Sequence, residues 1–167
     1  MKEIIVECEP DKKLIETIVE VEKLKTRVDI DIIHAGDKPR VLKRTLKIAG
    51  SVGVIDEDLW SAQPSALKKF KEMSEDNDLM IRIYKGPNGS TLVELRPRLE
   101  EWLLRLCKLF GINPNEYSCP PDLFKKIVNQ KLDNLGKLLD ELHRKSQHLK
   151  RFHQLMVDLI SQVSPSE

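Results

Sequence analysis

The chain has 167 residues, 40% of them hydrophobic and 33% charged, with 28 Lys and Arg against 27 Asp and Glu for a formal net charge of +1. That length accommodates one domain, or a compact domain with an extension. No apolar run approaches the ~18–20 residues that a membrane span needs, and a net charge so near zero excludes capture of nucleic acid by a bulk electrostatic field. Three cysteines, Cys8, Cys107 and Cys119, are too few and too far apart for a disulfide framework or a zinc site. The opening Met1–Glu7 stretch has no signal-peptide apolar run, so a reducing, cytoplasmic setting is expected.

In chain order, Lys2–Glu7 reads as a strand whose Ile4-Ile5-Val6 run suits burial on both faces. A helix is predicted from Pro10 to about Lys25, with Leu14, Ile15, Ile18 and Val19 at helical spacing. Val28–His34 is a second strand with one wet face. A turn at Ala35–Pro39 places Asp37 as the N-cap of a helix that runs to about Ala49. Ser51–Ile55 is a third strand ending in Asp56-Glu57-Asp58. Pro64 opens a predicted third helix whose Ala66, Leu67, Phe70 and Met73 face inward. Leu79–Tyr84 and Thr91–Leu95 flank the Gly86–Gly89 turn as a hairpin. Arg98–Phe110 is helical, and two amphipathic helices follow at roughly Asp122–Arg144 and Ser146–Gln162. Strands alternating with helices predict an α/β fold with a mostly parallel sheet flanked by helices. The expected organisation is an α/β domain over 1–111, a helical hairpin over 112–163 and a disordered tail over 164–167.

The informative feature is where the carboxylates fall. Glu7 lies at the end of the first strand, and Asp56 and Asp58 at the end of the third, the edge where open parallel sheets bind ligands. Carboxylates gathered there repel one another unless a cation compensates them. Hard oxygen donors suit Mg²⁺ or Mn²⁺ rather than zinc. The two-residue spacing turns Asp56 and Asp58 the same way and Glu57 elsewhere. Helix capping or loop solvation is the plainer explanation for any one of these acids.

Taken together, these segments resemble Toprim domains. Val6-Glu7-Cys8-Glu9-Pro10-Asp11 resembles the first motif, a strand ending in glutamate before a helix, in the form seen in overcoming-lysogenization-defect (OLD) type nucleases and small standalone Toprim-like proteins. Gly36-Asp37-Lys38 is similar to their turn after the second strand, and Val54–Asp58 to their Asp-x-Asp segment. Leu95–Leu104 is similar to an acidic helix start found downstream in the OLD type. Cys8 and Leu59-Trp60-Ser61 stand where those domains usually carry glycine. The resemblance implies a Toprim-like Rossmannoid sheet and Mg²⁺-dependent phosphoryl transfer on nucleic acid, in the manner of a small nuclease. Glu7, Asp56 and Asp58 would be catalytic, and Glu7, Asp11, Asp56 and Asp58 would hold Mg²⁺ or Mn²⁺. Lys38 and Glu100 are lesser candidates for substrate contact.

A different class of function is a catalytically silent Toprim-fold module that binds a partner or forms a homodimer through the C-terminal helices. A receiver-like regulatory domain is a third reading, for which no well-placed late lysine is found. Between Asp122 and Arg151 stand eight Lys/Arg against four acids, a phosphate-tracking face or an ordinary solvated one. His34 ends the second strand beside the crevice. His143, His148 and His153 are five apart, a spacing that turns each away from the last on a helix. Trp60 and Trp102 are read as core or interface anchors, and Tyr84 and Tyr117 as packing residues.

Overall fold

In a computed structural model that describes residues 1–21 and 29–162, the apolar run Ile4-Ile5-Val6 lies in β1 (Lys2–Val6), wholly buried. The end of the first predicted helix, the start of the second predicted strand and the 164–167 tail lie outside the described residues. Around β1 assemble β2 (Ile30–His34), β3 (Val52–Asp56), β4 (Lys71–Asp76), β5 (Ile81–Lys85) and β6 (Thr91–Leu95), in the order β2-β1-β3-β6-β5-β4. The first four strands in that order are parallel to one another; β5 pairs antiparallel with β6, and β4 antiparallel with β5. This is a Rossmann-like α/β sheet, mostly parallel, as the strand–helix alternation predicted.

Helices cover both faces. α1 (Glu9–Val21) and α3 (Leu99–Leu109), with α4 (Phe124–Gln130), α5 (Leu132–Lys145) and α6 (Gln147–Ser161), enclose the larger core, in which Ile4, Val6, Val52 and Val54 meet Trp102, Leu135, Leu139 and Phe152. α2 (Lys38–Lys47) covers the other face over Ile5, Ile55, Tyr84 and Leu92. α2 begins as predicted: the Asp37 side chain accepts the Arg40 N–H at 2.9 Å, and Pro39 stands in the first turn. The apolar faces of α5 and α6 are spent on this core, Leu135, Leu138, Leu139, Leu142 and Phe152 all being inaccessible. No helix among the described residues is long and apolar enough to cross a membrane.

Three local expectations are corrected. The predicted helix from Pro64 is a single 3-10 turn (Ser65–Lys69); Phe70 is already extended, and the chain enters β4, leaving Met73 exposed. The edge strand is stabilised by its hairpin pairing to the next strand, β5, which outweighs the helical spacing. The helix predicted over Asp122–Arg144 is divided at Lys131, where no side chain caps α5. His143 and His153 are on different helices, so their spacing does not separate them; their rings stack 4.2 Å apart.

Candidate active site

The chain runs from β1 outward to β2, then returns across β1 to β3 on its far side, with α1 and α2 on opposite faces. The switch point of the sheet therefore lies between the C-terminal ends of β1 and β3, where a crevice opens in such folds. Glu7 and Asp56 stand there. The Asp56 N–H donates to Glu7 Oε2 at 2.8 Å and ties the two strand ends together.

Asp11, in the first turn of α1, is only 1% exposed. Its Oδ2 accepts the Cys8 N–H at 3.2 Å and the Cys8 thiol at 3.0 Å, while Oδ1 is buried with no partner among the described residues. Asp56 Oδ1 accepts the Leu99 N–H at 3.0 Å, so this β3 carboxylate caps the first turn of α3, whose own N-cap Arg98 has no capping side chain. The same junction carries Glu100 toward the site, close enough to act electrostatically on both Asp11 and Asp56. Glu7, Asp11, Asp56 and Glu100 thus form one acidic group.

The proton affinities record that crowding. Burial, then the charges of Asp11, Glu7 and Glu100, push the Asp56 carboxyl up to about 9. Burial raises Glu7 to about 7 against the Asp56 N–H that opposes it, and burial raises Asp11 to about 6 against its Cys8 bonds. The Cys8 thiol is pushed far above its ordinary range by burial and the Asp11 carboxylate, so it supplies no thiolate nucleophile at neutral pH.

Asp58 is placed differently. Its φ of 47° takes it out of the strand geometry that the two-residue spacing presumed. Its Oδ1 accepts from Arg98 Nη2 at 2.7 Å and its Oδ2 from the Ser61 hydroxyl at 2.7 Å. The Ser61 bond and then Arg98 hold its carboxyl below the usual range. Asp58 lies on the rim of the cleft, committed to a cation. Glu57 does point elsewhere, into a buried cluster where Arg96 Nε lies 2.8 Å and Arg82 Nη1 3.3 Å from its Oε2.

Lys38 is buried, and its ammonium donates to Asp56 O at 2.8 Å, Glu57 O at 2.9 Å and Gln63 Oε1 at 2.8 Å. All three protons hold the β3 turn in place, which leaves none for a phosphate. His34 Nδ1 lies 3.1 Å from Glu9 Oε1 on the exposed rim. Trp102 is in the core as expected, but Trp60 is 71% exposed, with the Arg98 guanidinium 4.8 Å from its ring centroid. The cleft of about 410 Å³ is lined by Glu7, Cys8, Lys38, Asp56, Asp58 and the 61–64 loop.

Among the described residues, no three His, Cys, Asp or Glu side chains already stand in ligand geometry around a metal position. The donor set nevertheless suits a hard divalent cation: oxygen ligands only, mutually repelling, one of them a buried unpartnered oxygen. Comparison with known protein families, curated proteins and solved structures finds no match for this chain.

Proposed function

We propose that this chain is a divalent-metal-dependent phosphoryl-transfer enzyme acting on nucleic acid, a small nuclease of Toprim type. The observation that carries the reading is the junction of Glu7, Asp11 and Asp56 at the switch point, where burial and mutual repulsion raise all three carboxyls and Asp11 Oδ1 lacks a partner among the described residues. Such a group is costly to a fold unless a cation is its purpose.

Glu7, Asp11 and Asp56 would hold Mg²⁺ or Mn²⁺, with Glu100 beside them. The bound ion supplies Lewis-acid stabilisation of phosphate charge and a more acidic water. The chain's own residues do the rest. Lys38 fixes the β3 turn that presents Asp56. In the metal-free chain the Glu7 carboxyl, raised to about 7, is half protonated near neutrality, so binding of the cation would displace that proton and leave Glu7 a carboxylate ligand. Arg98, oriented by its bond to Asp58, sets a positive group behind that cleft-lining carboxylate.

Thermal unfolding with and without Mg²⁺ or Mn²⁺, beside cleavage assays on labelled single- and double-stranded DNA and RNA, tests this. A ligand that binds only the folded chain adds about 2.7 kcal/mol at a hundredfold excess over Kd. The parent should gain stability and cleave at least one substrate, and Asp56→Asn should do neither. Equal metal response in both proteins, with no cleavage by either, sinks the reading.

A further inference from the structure

α2 carries five basic residues and no acidic ones: Lys38, Arg40, Lys43, Arg44 and Lys47. Lys38 is bonded within the β3 turn, Arg40 faces Asp37, and Arg44 is held by Glu3 through two hydrogen bonds. Lys43, Lys47 and the neighbouring Lys69 are exposed and have no charged partner among the described residues. These three line one trough of about 460 Å³ between α2 and the Ser65–Lys69 turn, floored by Pro39, Leu46 and Pro64. Pro39 and Pro64 also line the carboxylate cleft, so trough and cleft are adjacent and share a wall.

We propose that this trough is a phosphate-backbone track that leads a single nucleic-acid strand into the cleft. The inference rests on the phosphoryl-transfer reading for what happens in the cleft, but not for binding in the trough. The charge arrangement explains a difficulty: an acidic cleft repels phosphates, and the net charge gives no global attraction, so the attraction must be local and adjacent. Three unpaired ammonium groups along a concave, partly apolar floor suit a flexible polyanion rather than a flat anionic membrane. Next in sequence to the cleft-lining Ser61, the exposed Trp60 ring, with Arg98 4.8 Å from its centroid, offers its remaining surface for a base to stack on, a partner that a polyphosphate does not possess.

The test is fluorescence anisotropy of a labelled single-stranded oligonucleotide in EDTA, with a NaCl titration. Lys43→Glu/Lys47→Glu/Lys69→Glu should weaken binding at least ~10-fold and lower the log–log salt slope by ~2, at ~0.7 per single-strand phosphate contact. The milder Lys43→Gln/Lys47→Gln/Lys69→Gln variant should show the same direction and serves if the reversal disturbs folding. Lys108→Glu/Lys137→Glu/Lys150→Glu, with equal charge change on exposed helix positions elsewhere, should bind within twofold of the parent. Trough variants that bind like the parent, or a control that loses as much, overturn the proposal. Tighter binding of duplex, of polyphosphate or of phosphatidylserine vesicles overturns the assignment to a single strand. Asp56→Asn should bind at least as tightly as the parent in EDTA. Absence of cleavage therefore counts against the cleft chemistry alone, and absence of trough-dependent binding against the track alone.

Discussion

Asp56 has two roles whose demands differ. As the acceptor for the Leu99 N–H it needs only an oxygen; as a member of the acidic group it needs a charge that the buried site resists. Its carboxyl is raised from an unfolded value near 4 to about 9. A folded value above the unfolded one means that the stabilising protonated form is fully available below about pH 4 and is lost as pH rises through 9. Glu7, raised to about 7, adds the same sign over a narrower window. Asp56→Asn retains the capping oxygen and removes the charge. Its melting temperature should therefore exceed that of the metal-free parent, by an amount that grows between pH 5 and pH 9. The stability–function opposition is then direct: the more stable variant is the one that no longer responds to Mg²⁺. A variant no more stable than the parent at pH 8 would contradict this account of Asp56.

At the scale of elements, Gly53 determines how closely α2 lies on the sheet. A Cβ built there would meet Thr45 Oγ1 at 2.6 Å, Leu92 Cδ2 at 2.7 Å and Val41 Cγ1 at 3.2 Å. Thr45 is itself fixed by donating to Val41 O at 2.7 Å, so it cannot retreat freely. Gly53→Ala should cost about 1–3 kcal/mol by overpacking, several degrees of melting temperature for a chain of this size. An unchanged melting temperature would mean that α2 sits more loosely than these contacts imply. Gly53 was legible in the sequence only as a small residue in a strand; its partner helix was not. β1, α2 and β3 were readable because apolar runs and the Asp37–Pro39 cap are local signals, and they placed Glu7 and Asp56 at strand ends. Whatever depended on the pairing of one segment with another was not readable. The helical spacing of Ala66, Leu67, Phe70 and Met73 concealed an edge strand paired to β5. Arg98 reaches Asp58, and Glu100 reaches Asp11, only because β6 delivers α3 beside β3. The line Glu75, Arg82, Glu94 across three strands follows from registers that no single segment reveals.

Over the whole molecule, the C-terminal helices close the larger core rather than extend from it, and the closure contains a titratable weak point. Trp102 in α3 donates its indole N–H to Leu79 O at 2.6 Å and meets the Phe152 ring of α6 at 4.9 Å, which joins the sheet's hairpin, α3 and α6. Next to Phe152, His153 is 2% exposed, stacked on His143 of α5, and neither of its nitrogens has a hydrogen-bond partner among the described residues. Burial first, and then the neighbouring His143, lower its proton affinity from about 6.5 to about 3. The folded chain thus holds His153 neutral where the unfolded chain binds a proton. The stability contributed by His153 is complete above pH 6.5 and declines as pH falls toward 3, by up to ~1.4 kcal/mol per unit. The acidic group at the cleft has the opposite sign, since its raised carboxyls favour the folded state at low pH, so the raw acid limb of the parent mixes two trends. His153→Phe separates them: it fills the same apolar space with a ring that cannot be charged. Between pH 7 and pH 4, denaturant midpoints of the parent should fall steadily relative to those of His153→Phe, while the two run parallel from pH 7 to pH 9. Parallel curves through the acid range would show that the α5–α6 closure does not exclude the proton, and that His153 gains a partner or water as the pH falls.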